Sequence, residues 1–417
     1  MAREDIITGI DIGSTSVRVV CGQIKTVRDH QEVIQIIGAA EAETEGVSKG
    51  VVTSIEDAVA SMSAAVEKCE RMTGVPIEDA LVSVNGVHVT AQQAHGVVAI
   101  AKANGEVGED DVARAIESAQ SISTPPNYEI LHIIPRSFTV DHQTNVKDPI
   151  GMTGIKLEVD AQIILGMTAQ VKNITKAVYR TGVDIRDLVF SPLASAESTL
   201  TKRQKELGAA VIAIGGSTTS LAVYEEGDLL YTSVLPVGSG HITNDIAIGL
   251  RTSVDVAEAV KRQFGTMMPE HVGKHEEIDL ATIDASEKVL VSRKEVAEII
   301  QARVDELFAM IGKELKSIDR FAKLPAGMVF TGGGAKMEGL VDHAKEYFKT
   351  SASVGVPQHI QTPIEKIQDP SFTTAIGLVL WGANASASMN MRNSSSNFSS
   401  VAGVTGKIGK WVKSFMP

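Results

Sequence analysis

The chain of 417 residues carries a formal charge of −12, 4% aromatic residues and two cysteines. That length allows two or more domains around sizeable cores. The acidity and the shortage of aromatics exclude a nucleic-acid-binding body, which needs basic surface for phosphates and rings for base stacking.

Cys21 and Cys69 belong to no C-x-x-C pair or Cys/His cluster, so a reduced cytosol and no structural metal site are expected. The first element expected is a β-branched, apolar strand from Ile6 to Ile12, entered at once from the start of the chain with no secretory signal. It runs into the loop Asp11-Ile12-Gly13-Ser14-Thr15-Ser16, and a second apolar run, Val17 to Cys21, follows. An amphipathic helix spans Ile55 to Met72, with Asp57, Glu67 and Lys68 on its wet side. From about residue 80 to residue 165 the character changes. An alternating strand (Leu81-Val82-Ser83-Val84), an acid-capped helix opening at Glu109-Asp110-Asp111, a Pro125-Pro126 turn and strands at Ile130 to Ile134 and Ile155 to Ile164 make a small inserted α+β module. Helices from Thr168 to Thr181 and from Pro192 to Leu207 lead to a strand, Ala210 to Ile214, the loop Ala213-Ile214-Gly215-Gly216-Ser217-Thr218-Thr219 and a further apolar run, Ser220 to Tyr224. Residues 241–323 read as mostly helical, with a charged, Met- and Pro-bearing stretch at 265–288. A strand from Met328 to Thr331 enters Thr331-Gly332-Gly333-Gly334-Ala335, and a Gly/Ala-rich helix follows from Thr373 to about Asn384. The longest apolar stretch, around Ala375 to Ala383, is too short to span a bilayer, so membrane contact is expected at the surface only.

Each glycine-rich loop follows an apolar strand, and the first two sit in matched strand–turn–strand units about two hundred residues apart, which points to two related halves. Phosphates need backbone N–H donors at close range, and glycine lets the main chain approach without a Cβ clash. Hydroxyls at Ser14, Thr15, Ser217 and Thr218 add donors. A carboxylate at Asp11, leaving a strand end for a Gly-Ser turn, has few purely structural reasons to stand there. His132, His142 and His241 are scattered and read as core or surface residues, not ligands.

Residues 385–403 are rich in Ser, Asn and Ala and read as a flexible linker. In the last segment Val404, Ile408, Trp411, Val412 and Phe415 fall on one face of a helix, and Lys407, Lys410 and Lys413 on the other. A basic amphipathic helix carrying Trp and Phe suits a surface of anionic lipid. One copy binds marginally, so self-association is expected to make the attachment durable.

Together, the two phosphate-type hairpins, the third glycine loop and two candidate connecting helices (Ser191 to Glu197 and Thr374 to Leu378) resemble the actin/Hsp70/sugar-kinase superfamily. Within it the chain resembles the FtsA family over nearly its whole length. The most specific sign is the insert, with Leu131-His132-Ile133-Ile134-Pro135 and the run Asn145-Val146-Lys147-Asp148-Pro149-Ile150-Gly151-Met152-Thr153-Gly154. The resemblance implies an α/β fold of actin-like, ribonuclease-H-like duplicated lobes with an α+β insert and a C-terminal amphipathic helix. It divides the chain into a first lobe (1–81 and 165–206), the insert (82–164), a second-lobe core (207–240 and 324–384), a helical subdomain (241–323), the linker (385–403) and the membrane-targeting helix (404–417).

It also implies a role: an actin-like protein that binds ATP with Mg²⁺, polymerises and holds the C-terminal tail of FtsZ at the inner face of the cytoplasmic membrane, alongside other division proteins. Gly13, Ser14, Thr15 and Ser16 would hold phosphates together with Gly215, Gly216, Ser217 and Thr218, and Asp11 would place Mg²⁺ through water. Gly332, Gly333 and Gly334 would lie against the adenosine, with Glu258 and Lys261 beside sugar and base. Lys294 and Arg303 fall where the family receives the acidic FtsZ tail. Lys407, Ile408, Lys410, Trp411, Val412 and Phe415 would meet the membrane. Glu197 is a candidate to orient an attacking water. The superfamily opens its second phosphate loop with an aspartate, but here that position is Ala213 and a later glycine is Ser217. Nucleotide binding is therefore expected with weak or absent hydrolysis. A sugar or small-molecule kinase shares the loops but needs a carboxylate base that nothing marks clearly. A pilus-assembly relative leaves the terminal helix unexplained, and an Hsp70-type chaperone needs a following β-domain.

Overall fold

The computed structural model describes residues 6–26, 32–121, 124–358 and 360–393. The expected membrane-facing residues Lys407, Ile408, Lys410, Trp411, Val412 and Phe415 lie outside the described residues. Strands β1 (Ile6–Ile12), β2 (Ser16–Thr26) and β3 (Glu32–Glu43) form an antiparallel meander. A short hairpin, β4 (Val47–Ser48) and β5 (Val51–Val52), turns at Lys49 and Gly50, whose φ values are +52° and +76°. Helix α1 (Ile55–Thr73) starts where the Ser54 side chain accepts from the Asp57 amide and stops at left-handed Gly74. It buries Ala58, Met62, Ala65, Val66 and Cys69, the stripe that its periodicity dictates. Strand β6 (Asp79–Val84) then lies parallel to β1.

The insert consists of β7 (Val89–Ala99), α2 (Glu109–Gln120), β8 (Tyr128–Val140), β9 (Gln143–Val146) and β10 (Lys156–Met167), with sheet order β7-β10-β8-β9. Its own core gathers Val112, Ile116, Phe138, Leu157 and Ile163 under α2. The chain returns through α3 (Thr168–Arg180) and β11 (Asp184–Phe190), which pairs parallel with β6. The single helix expected from Pro192 to Leu207 is two, α4 (Ser191–Thr199) and α5 (Lys202–Leu207). Thr201 breaks it: its side chain caps the Gln204 amide while Gln204 reaches back to the Thr201 amide, a reciprocal pair that helix interiors cannot hold.

The second half repeats the plan. Strands β12 (Ala209–Ile214), β13 (Thr219–Glu225) and β14 (Asp228–Leu235) form an antiparallel meander. Helices α6 (Ser239–Leu250) and α7 (Val254–Phe264) follow, then a small hairpin of β15 (Glu277–Asp279) and β16 (Leu290–Ser292) within the charged stretch, and the long α8 (Arg293–Ser317). Strand β17 (Met328–Thr331) joins β12 in parallel, and after α9 (Leu340–Phe348) strand β18 (Ala352–Val354) joins β17. The order β14-β13-β12-β17-β18 thus mirrors β3-β2-β1-β6-β11, with the same sense at every pairing. This is the duplicated, actin-like α/β pattern with an insert after β6.

Two elements within 324–384, the range expected to complete the second lobe, return to the first. Strand β19 (Ile360–Gln361) pairs with β3, and α10 (Thr373–Asn393) packs on β1 and β2 and crosses α4. Small residues make this possible. A Cβ on Gly9 would stand 2.8 Å from the Leu378 Cβ, and one on Gly382 would stand 2.8 Å from Ile7 and Leu81 side-chain atoms. The helix also runs to Asn393, so the composition read as linker from Ala385 begins on helix.

Candidate functional site

The ends of β1 and β12 make one turn twice. The Gly13 amide donates to the Ser16 carbonyl at 3.1 Å, and the Gly215 amide to the Thr218 carbonyl at 2.9 Å. A Cβ at Gly13 would come within 2.8 Å of that carbonyl, so glycine is required by close approach. The turns face each other. The Ser217 hydroxyl donates to Ser14 Oγ at 2.6 Å and accepts the Lys49 amide at 2.9 Å, and a Cβ on Gly216 would overlap the Thr15 methyl. The second turn rests on the start of α6, where the Ser239 and Gly240 amides donate to the Gly215 and Gly216 carbonyls at 2.8 and 2.7 Å. The third loop leaves β17 alongside the end of β12. Gly332 has φ +81° and a Cβ there would stand 2.5 Å from the Ile214 carbonyl oxygen, whereas a Cβ at Gly333 would meet nothing within 4 Å. The first two loops and the third therefore share the C-terminal edges of parallel-paired strands, where ligand sites of open α/β sheets gather.

Asp11 and Ala213 occupy equivalent register positions: Asp11 lies opposite Arg18, Ala213 opposite Ser220. The Asp11 carboxylate accepts the Ser83 hydroxyl at 2.8 Å, and Ser83 Oγ in turn accepts the Ile12 amide at 3.0 Å. Burial pushes the Asp11 carboxyl above the usual range, more than Arg18 and Ser83 pull it down. Arg18 is already held by Glu41 at 2.6 Å. A desolvated carboxylate with so little compensation fits a hydrated cation, while the second turn offers no counterpart.

Lys261 is buried and donates to Glu258 at 2.5 Å, Thr243 Oγ1 at 2.7 Å and the Ser239 carbonyl at 3.2 Å, which ties α7 to the start of α6. Between α6, α8 and the third loop lies a recess lined by Ile214, Gly238, Ser239, Arg303, Gly334 and Met337. Arg303 thus borders the cleft. It is gripped by Asp245 at 2.5 and 2.9 Å and by Glu306 at 2.5 Å. Lys294 sits nine residues earlier on α8, about 13 Å away along the axis, in the first turn and 3.9 Å from Glu298. The structure does not bring these two cations together.

Nor does it bring Glu197 to the loops. Glu197 pairs with Lys205 at 2.7 Å and accepts from Asn384 at 2.9 Å. Lys205 lies over the Tyr224 ring, which belongs to the far end of the β12–β13 hairpin from Gly215, roughly 17 Å along the strand. Sequence reasoning missed Ser83, Asn85, Ser239 and Thr243. The run Val237-Gly238-Ser239-Gly240 between a strand and a helix was the available signal for a helix N-terminus at the site. Ser83 and Asn85 carry none, because only the pairing of β6 with β1 delivers them.

Comparison with known proteins gives a consistent result. A family model described as "Cell division protein FtsA" matches residues 210–377, and one described as "SHS2 domain inserted in FTSA" matches residues 86–165. The cell division protein FtsA of Pseudomonas aeruginosa is 34% identical over 98% of this chain and 97% of its own length. That of Bacillus subtilis is 35% identical over 91% and 84%, and that of Escherichia coli K12 30% identical over 98% and 96%. Among solved structures, the PilM–PilN type IV pilus biogenesis complex matches with TM-score 0.65 at 16% identity, covering 90% of this chain and 98% of that chain. MreB5 of Spiroplasma citri bound to ADP matches with TM-score 0.53 at 12% identity, covering 93% and 98%. These two show a shared fold.

Proposed function

Because the chain belongs to the FtsA family of cell division proteins, we propose that it is an ATP-binding, self-assembling anchor that ties FtsZ filaments to the inner face of the cytoplasmic membrane. The observation that carries the nucleotide half of this reading is the duplicated turn: two glycine hairpins of equal hydrogen bonding, face to face, with a glycine loop at their side. Backbone amides of the turns Gly13 to Ser16 and Gly215 to Thr218, other than those of Gly13 and Gly215 that close the turns, would bind the phosphates with the hydroxyls of Ser14, Thr15 and Thr218. The open face at Gly333 leaves room for a purine, and the Glu258–Lys261 pair beside Ser239 would border the sugar. Asp11, held by Ser83, would receive Mg²⁺ through water; the metal, when bound, supplies neutralisation of phosphate charge. Ala213 has no group to orient a second set of waters, so turnover is slow or absent.

For the partner half, α8 is the proposed receiving surface for the acidic FtsZ tail. Lys294 is half-buried there and 3.9 Å from Glu298, whereas Arg303 would have to leave Asp245 and Glu306 first. Among the described residues no helix is long and apolar enough to cross a membrane, and the basic segment from Val404 onward is the proposed contact with anionic lipid. Lipid-monolayer electron microscopy with ATP, comparing the full chain with a truncation after Gly403, tests the reading. Filaments are expected on the lipid only for the full chain and only with nucleotide.

A further inference from the structure

The turns that would hold a nucleotide are fastened to one another, and the fastener is a side chain. Ser217 spends its whole hydroxyl across the cleft: the proton goes to Ser14 Oγ and a lone pair takes the Lys49 amide. The Lys49 amide is presented by the β4–β5 hairpin, whose tip nests on the loop after β6; a Cβ on Gly86 would stand 2.6 Å from the Lys49 carbonyl. That same loop carries Asn85, whose Oδ1 accepts the Ser220 hydroxyl at 3.0 Å. The second turn and the start of β13 are thus pinned at two points, three residues apart, to three segments of the first lobe. Gly216 and Thr15 close the remaining gap by contact. With Ser217 bonded to Ser14 and Gly216 lying against the Thr15 side chain, the two turns touch where the phosphates would lie.

We propose that Ser217 is a bolt across the cleft, and that a triphosphate binds by replacing the Ser217 contacts with its own oxygens. The proposal rests on the nucleotide reading given above and adds its control. Ser217 Oγ has one proton, already given to Ser14, so to donate to a phosphate it must first release Ser14. A ligand therefore meets a conformational cost that a chain without this hydroxyl avoids, and its apparent affinity falls by the fraction of chains already open. Ser220 and Asn85 lie deeper and remain paired when Ser217 changes, so the lobes stay registered and only the outer bolt is lost.

The test uses the full chain and the variants Ser217→Ala and Ser217→Gly, with two readouts. Hydrogen exchange at the Lys49 amide without nucleotide is expected to be slow in the parent and about tenfold faster in both variants, the worth of one net hydrogen bond. Equilibrium binding of a fluorescent ATP analogue with Mg²⁺ is expected to tighten about three- to tenfold in both, since opening no longer opposes it. Unchanged Lys49 exchange overturns the bolt. So does faster exchange with equal or weaker ATP binding, which would make Ser217 a phosphate donor and nothing more. If parent and variants all fail to bind ATP, the nucleotide reading falls, and Lys49 exchange alone then decides whether Ser217 joins the lobes.

Discussion

Ala213 and Asp11 are one position in two copies of a hairpin, and the difference between them sets what the cleft can do. Asp11 has Ser83 to hold it and Arg18 opposite; Ala213 faces Ser220 on β13 and Thr331 on β17, with no charge on any of them. Introducing a carboxylate with Ala213→Asp is expected to raise Mg²⁺-dependent phosphate release from ATP by about tenfold or more, toward the gain a positioned polar group gives. Steady-state phosphate release measures it, and no rise would mean that something other than Ala213 limits turnover. A second residue, His132, is expected to contribute to acid sensitivity. It lies buried on β8, where Nε2 accepts the Phe190 amide at 2.9 Å and the ring meets Trp381 of α10, so it joins insert, first sheet and α10. Burial depresses its pKa to about 3. Below the unfolded value near 6.5 the unfolded chain takes up a proton that the native chain refuses. Stability is then lost at about 1 kcal/mol per pH unit as pH falls from there toward 3. Urea unfolding at pH 7.5 and pH 5 is expected to show this loss, and His132→Gln to flatten it. Asp11 and the glycines were legible in the sequence because a turn is a local event, written in consecutive residues. Ser83 was not, since it reaches Asp11 from 72 positions away, by way of a parallel pairing that no local pattern encodes.

At the level of elements, the crossing of α4 and α10 is where the lobes share a core. Gly377 of α10 lies directly on the backbone of Ala194, and a Cβ there would overlap the Ala194 carbonyl. Ser198 Oγ donates to the Thr373 carbonyl at 2.8 Å, and Ser195 pairs with Thr374 at 2.9 Å, so the helices are also stitched by hydroxyls. Gly377→Ala is expected to cost about 1–3 kcal/mol from overpacking, seen as a lower urea midpoint. A neutral result would mean that the helices slide apart cheaply. The sequence offered both as connecting helices, yet it did not say that the second packs on β1 and β2. Small residues say that another backbone comes close; they do not say which one. The same blindness explains the break at Thr201. Its capping box competes with a run of good helix formers, and only the stop at Leu200 decides in its favour.

At the scale of the molecule, the argument turns on whether one weak foot becomes a firm hold. The terminal segment offers five large apolar side chains, worth roughly 5–8 kcal/mol when partly buried, and three lysines worth about 1 kcal/mol each near anionic lipid. Ordering its fourteen residues costs on the order of 1 kcal/mol apiece before helix hydrogen bonds compensate. The balance lies close to zero, so under the proposed function a lone chain is expected to sample the membrane and leave. In the proposed filament, each further segment would bind from an effective concentration fixed by its neighbours, and the small affinities would multiply. Vesicle pelleting should therefore be sigmoidal in protein concentration, with a threshold that coincides with polymer formation. It should weaken as salt screens the lysines and vanish on truncation after Gly403. Proportional pelleting far below the polymer threshold would require a segment that binds firmly alone, and the avidity account would then fail.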